Sequence, residues 1–180
     1  AASAGAIQAA AEAAVASLMF PVTLSHPADE DCCSVCMVSP GFEALTGAPK
    51  ETLVASGLRC LSAELLNDPA DLVRMRMSVA TGAPSSAVLV KRRLAGDLFR
   101  SVVHYQGITV GKDPSTGKDL WFLIGLYIDV TDECEEMDSE ELLHANVLTI
   151  ARLKGQVKNA ITDHIQAVLK DELWAAMPPA

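Results

Sequence analysis

The hydrophobic period of this chain changes near Ser85, and that change narrows the folds open to it. Upstream, apolar residues recur at helical spacing in short runs separated by Gly and Pro. Downstream, Val88 and Val90, then Leu98, Val102 and Val103, then the run Leu120 to Val130 follow the spacing of strands. Turn residues at Ala95-Gly96 and from Gly111 to Lys118 divide this region into three antiparallel strands. Together with the segments described below, two strands, several small helices, three strands and a C-terminal helix predict an α+β architecture.

Ahead of that point, residues 4–19 are Ala-rich, with Ile7, Ala11, Ala14 and Leu18 on one stripe, and predict an amphipathic N-terminal helix ended by Phe20-Pro21. Val22 to Leu24 and Ser34 to Val38 read as two further strands around an acidic turn at Pro27 to Asp31. Pro49-Lys50-Glu51 opens a short helix that Gly57 closes, and Asn67-Asp68-Pro69 opens another that ends before Gly82. Asp138 with Glu141 forms a capping box. Behind it Leu143, Val147, Ile150, Val157, Ile161, Ile165 and Val168 recur at helical intervals toward Trp174, with a hinge expected at Gly155. The predicted divisions are an N-terminal helix over residues 1–19, a domain over 20–132 and a C-terminal helical extension over 133–180.

Half of the 180 residues are apolar, enough for a packed core without metal or disulfides. With 14 Lys and Arg against 23 Asp and Glu, the net charge of −9 argues against a surface that tracks nucleic-acid phosphates. The run Leu120 to Ile128 is too short to cross a bilayer as a helix, so a soluble chain is expected. Five cysteines without regular spacing read as reduced thiols of an intracellular compartment, cytosol or organelle interior. The start at Ala1 leaves room for a removed initiator or targeting peptide.

Four segments carry a family resemblance. Gly41-Phe42 with Leu45-Thr46-Gly47, and Ile124-Gly125-Leu126-Tyr127-Ile128-Asp129-Val130-Thr131, resemble the corresponding stretches of light-oxygen-voltage (LOV) domains of the PAS superfamily, the second usually written I-G-V-Q-L-D-V-T. Phe99 to His104 is similar to the strand F-W-N-L-F-H of those domains, and Gly57-Leu58-Arg59-Cys60 to their reactive G-R-N-C segment. The resemblance covers about residues 20–132. It implies a five-stranded antiparallel sheet with small helices, here flanked by the N-terminal and long C-terminal amphipathic helices. It also implies a flavin mononucleotide (FMN) site, with Cys60 forming a photoadduct and Arg76 near the flavin phosphate.

The positions that would meet the flavin ring depart from that pattern. The two asparagines of the middle strands correspond to Lys91 and Ser101, the strand-end glutamine to Tyr127, and the residues flanking the cysteine to Arg59 and Leu61. An amide both donates and accepts, which lysine does not, and serine is too short to reach. Leaving the ring edge unpaired costs roughly 1–3 kcal/mol per buried group. Matching Glu64-Leu65-Leu66-Asn67 to the F-L-L-N form of the motif moves the reactive position from Cys60 to Ser62, which forms no sulfur adduct.

Three functional readings remain open on this basis. The first is a protein-interaction or assembly module without flavin, binding a protein partner, a larger complex or a second copy through its flanking helices. The interface residues expected are Ile7, Leu18, Leu143, Val147, Ile150, Val157, Ile161 and Val168, and removal of residues 139–180 is expected to leave a folded core. The second is an FMN-binding blue-light receptor signalling through Cys60 and the C-terminal helix, and the third a PAS sensor of another small ligand. Cys60 also reads as a small packed residue, and Arg74 with Arg76 as a solvated helix face. Cys33 and Cys36 have C-x-x-C spacing but lack the second ligand pair that a zinc site requires. His26, His104, His144 and His164 are dispersed, so neither a metal site nor an enzyme is expected. Lys91-Arg92-Arg93 reads as a solvated hairpin.

Overall fold

A computed structural model describes residues 3–27, 34–113, 116–133 and 137–175, the last four by backbone alone. Most of the acidic turn, Cys32, Cys33 and the Trp174 side chain lie outside the described residues or atoms.

The N-terminal helix α1 spans Ala4–Ala16, opened by the Ser3 hydroxyl, which accepts from the Ala6 N–H. It stops short of residue 19, because the Ser17 N–H and hydroxyl both turn back to the Ala14 carbonyl. Strands β1 (Val22–Ser25) and β2 (Val35–Val38) follow. Helix α2 (Pro40–Thr46) has proline in its first turn and left-handed Gly47 at its end, at φ 68°. Its cap, Ser39, is fully buried and serves two elements. The Ser39 hydroxyl accepts from Val22 N–H at 2.9 Å and Phe42 N–H at 3.2 Å and donates to the Phe20 carbonyl at 2.7 Å. The helix start is thereby tied to the chain entering β1.

Helix α3 (Lys50–Ser56) ends at Gly57 as expected, and 3₁₀ turns follow over Gly57–Leu61 and Glu64–Leu66. Helix α4 (Pro69–Thr81) is capped by Asp68 and closed by left-handed Gly82. Asn67, adjacent to the cap, takes a different role. Its amide brackets the edge strand β3 (Ser85–Arg92), donating to Val90 O at 3.0 Å and accepting from Val90 N at 2.7 Å. This pairs backbone groups that an edge strand otherwise leaves open.

Strands β4 (Leu98–Lys112) and β5 (Asp119–Asp129) complete an antiparallel five-stranded sheet in the order β2-β1-β5-β4-β3. Alternate residues face opposite sides. Ala87, Leu89, Val103 and Tyr127 meet Phe42, Leu53, Leu61 and Met75 of the small helices. On the reverse face Val22, Leu24, Val88, Val102, Ile124 and Leu126 meet the flanking helices.

Helix α5 (Ser139–Ala175) begins at the expected capping box, with Asp138 Oδ1 accepting from Glu141 N and Glu141 Oε2 accepting from Asp138 N. It runs unbroken through Gly155, where a hinge was expected. The partner expected for its stripe lies within the chain. Ile150, Val157 and Ile161 of α5 and Ile7, Ala11 and Ala14 of α1 are buried in one cluster on the reverse face of the sheet. Leu18, Leu143 and Val168 pack against it half-buried, which leaves Val147, 54 % exposed, as the member of the expected interface that faces solvent. Among the described residues, no helix is long and apolar enough to cross a membrane.

Candidate functional site

The face of the sheet under the small helices is the candidate site, and side chains from the sheet and from those helices fill it. Tyr127 of β5 is 1 % exposed and lies 4.6 Å, centroid to centroid, from Phe42 of α2. Its hydroxyl is 3.1 Å from the Tyr105 hydroxyl of β4 and 3.5 Å from Thr23 Oγ1 of β1. The cluster depends on Gly125, two residues earlier on the same face. A Cβ there would stand 2.5 Å from Thr23 Oγ1, 2.8 Å from Tyr105 Cε1 and 3.0 Å from the Tyr127 hydroxyl. Leu61 and Met75 close the face from the helix side.

Lys91 lies at the mouth of this cradle, its Nζ 5.8 Å from the centre of the Tyr127 ring. Burial pushes its amine down from 10.5 to about 8, with the attraction of Glu64 opposing the shift. The unfolded chain therefore holds more protons between about 8 and 10.5, and this group's contribution makes stability rise with pH across that window. At pH 7 the folded protein carries the full cost of the charge. Lys91→Met is expected to stabilise it by about 1–3 kcal/mol at neutral pH, less above pH 10.5, as read by denaturant unfolding at both. Equal effects at the two pH values would show that the ammonium is well solvated.

Of the sequence-predicted site residues, the fold gathers Lys91, Tyr127 and Ser101, which is fully buried on β4, onto one face. The others point elsewhere. Cys60 is exposed, its thiol donating to the Gly57 carbonyl within the 3₁₀ turn, while its neighbour Leu61 is the buried residue. Arg59 and Ser62 are exposed, and Ser62 forms an isolated backbone bridge to Lys91. Arg76 turns outward to Glu64 at 3.5 Å, and Arg74 pairs with Asp71, the solvated helix face anticipated as an alternative to phosphate binding. Among the described residues, no cluster of side chains could hold a metal ion.

Sequence reasoning missed Phe42, Tyr105, Thr23 and Gly125 as parts of the cradle. Gly125 carried a signal, a glycine inside an apolar strand marking close approach by another group. Also missed was Arg93, expected on a solvated hairpin. Its guanidinium donates to the Leu45 carbonyl, pairs with Asp129 at 2.9 Å and Asp97 at 2.8 Å, and lies 4.5 Å from the Phe99 ring centre. It clasps α2 to the end of β5.

On this face Tyr127 packs against Phe42 and Tyr105, Lys91 offers only donors, and the short Ser101 hydroxyl donates to the Val102 carbonyl. Two cavities lie elsewhere. One of about 190 Å³ sits between α1 and the start of β5, and one of about 110 Å³ between β4 and α5. Ligand pockets usually hold about 300–1,000 Å³.

No protein-family model matches the sequence, and no curated protein matches it. Solved structures do. A LOV protein of Rhodobacter sphaeroides superposes with a TM-score of 0.61 at 16% identity, over 96% of this chain and 98% of its own. The LOV domain of the blue-light activated histidine kinase EL346 of Erythrobacter litoralis gives 0.50 at 18% identity, over 63% of this chain and 98% of that one. An RNA-binding LOV receptor gives 0.54 at 22% identity over 72% of this chain, which spans only 35% of the receptor. At these identities the likeness establishes the fold, as the sheet order and flanking helices do independently.

Proposed function

We propose that this chain, which has the fold of LOV-type PAS domains, is a protein-interaction or assembly module with a non-enzymatic role and a cofactor face closed by its own side chains. The observation that carries this reading is the packing of Tyr127 against Phe42 and Tyr105 where a ligand ring would lie. The outward orientation of Cys60, away from that face, supports it. The surface offered to a partner is the part of α5 that the intramolecular core leaves open, Val147 with its neighbour Leu148, which is 83% exposed. RNA binding, stated for one structural neighbour, is not carried over, because the net charge of −9 opposes phosphate contact.

Two measurements test the reading. The absorption spectrum of protein isolated from its native source is expected to lack the structured blue band of bound flavin. Stoichiometric flavin released on heating would overturn the closed-face assignment and favour the second reading, a blue-light receptor holding FMN, which the LOV fold supports. The double variant Val147→Asp, Leu148→Asp is expected to weaken association by roughly tenfold or more in sedimentation and co-purification while the monomer stays folded. An unchanged assembly state would remove α5 as the interface.

A further inference from the structure

Strand β1 ends at Ser25, whose register partner on β5 is Leu123. From Phe122 back to Asp119, β5 is therefore paired on one side alone, with β4, among the described residues. The first turns of α1 pass beside this stretch, and the space left between them is the cavity of about 190 Å³. Two kinds of wall meet there. The Phe122 ring, 6 % exposed, and the His26 ring, 5.5 Å from it centroid to centroid, supply aromatic surface, with Ile7 and Trp121 beside them. The polar side chains from α1 and β5 offer acceptors. Gln8 donates from Nε2 to Glu12 Oε1 at 2.8 Å, which leaves its amide oxygen to accept, and Asp119 brings a carboxylate. The Lys112 ammonium stands 3.8 Å from that carboxylate, with both side chains more than half exposed, and a pair of this kind exchanges partners readily.

We infer that this cavity is a binding site for a small aromatic amine: one ring lies against Phe122 and His26, and its ammonium is held by Asp119 and the Gln8 amide oxygen. Concave aromatic surface with a few placed polar groups is the usual make-up of a small-molecule site. A cavity of about 150 Å³ is enough to hold benzene. The volume here therefore admits a single ring with a short aminoalkyl arm and is too small for a fused-ring cofactor. An ammonium is attracted by aromatic faces as well as by the carboxylate, and the net charge of −9 draws cations toward the chain and repels anions of the same size. Phe122 and Ile7 belong to the reverse face of the sheet, so the site is independent of whether the Tyr127 face is closed. One wall comes from α1 and the other from β1 and β5, so an occupant ties the N-terminal helix to the sheet.

Titration of the full chain with phenethylamine, followed by the Trp121 indole and His26 ring signals in NMR spectra, tests the inference. Saturable shifts with a Kd of roughly 0.1–1 mM are expected. 2-Phenylethanol, of the same shape without the charge, is expected to bind roughly tenfold more weakly, and phenylacetate more weakly still. Asp119→Asn should weaken phenethylamine binding by roughly tenfold and leave 2-phenylethanol within about twofold of the parent. Ala4→Leu, which fills the cavity from the helix side, should abolish binding of both. Asp119 and Ala4 are exposed, so both variants keep the fold. Absence of saturable shifts up to about 10 mM phenethylamine, equal affinity for the three probes, or unchanged phenethylamine binding in either variant would overturn the site.

Discussion

Removing residues 139–180 is expected to abolish cooperative folding, not to release an independent core. Helix α5 buries Leu142, Ile150, Leu153, Val157, Ile161 and Ile165 against the sheet and α1. At roughly 1.5–3 kcal/mol for each such side chain, their burial amounts to something on the order of 10 kcal/mol before the ordering of the helix is set against it. That is comparable to the whole stability of an ordinary domain, about 5–15 kcal/mol. Truncation also uncovers Val88, Val102, Ile124 and Leu126 on the sheet. The truncated chain should bind hydrophobic dyes and aggregate, and its thermal transition should disappear. A cooperative melt within a few degrees of the parent would restore the view of α5 as a detachable arm.

Gly41→Ala is expected to lower stability by about 3 kcal/mol or more, the upper end of the overpacking range. Helix α2 rests its first turn directly on the chain entering β1. A Cβ at Gly41 would lie 2.2 Å from the Met19 carbonyl oxygen and 2.5 Å from the Phe20 carbonyl carbon. These are backbone atoms, so no rotamer change makes room, and the buried Ser39 cap that holds the two segments together must shift as well. For a chain of this size that corresponds to a fall in melting temperature of roughly 6–12 °C. Gly47→Ala is the control. It carries the left-handed strain of φ 68° but meets nothing within 4 Å, and should cost only about 1 kcal/mol. Equal melting temperatures for the two variants would show that α2 is not seated as described.

The elements whose signals are local were legible in the residues alone. Gly57 and Gly82 ended α3 and α4, Asp138 and Glu141 opened α5, and the change of period at Ser85 separated helices from the last three strands. Each depends on backbone groups within about four positions, the range over which capping and turn chemistry act. The short segments similar to LOV domains identified the fold because they too mark contiguous turns and strand ends.

Tertiary structure decided which side of each element is covered. The stripe of α5 looked unpartnered because its partner, the stripe of α1, lies more than a hundred residues away in sequence, and periodicity shows that a face is apolar without showing what meets it. The rotational phase of the 3₁₀ turn placed Leu61 inward and Cys60 outward, and neighbouring residues offer no local signal for that choice. Tyr127 found Tyr105, Thr23 and Phe42 only after three strands and a helix had met in one register. Period, caps and turns act within a few residues and so are written along the chain, whereas burial, charge and the closing of a cavity arise from contacts between distant residues and exist only once the sheet has brought them together.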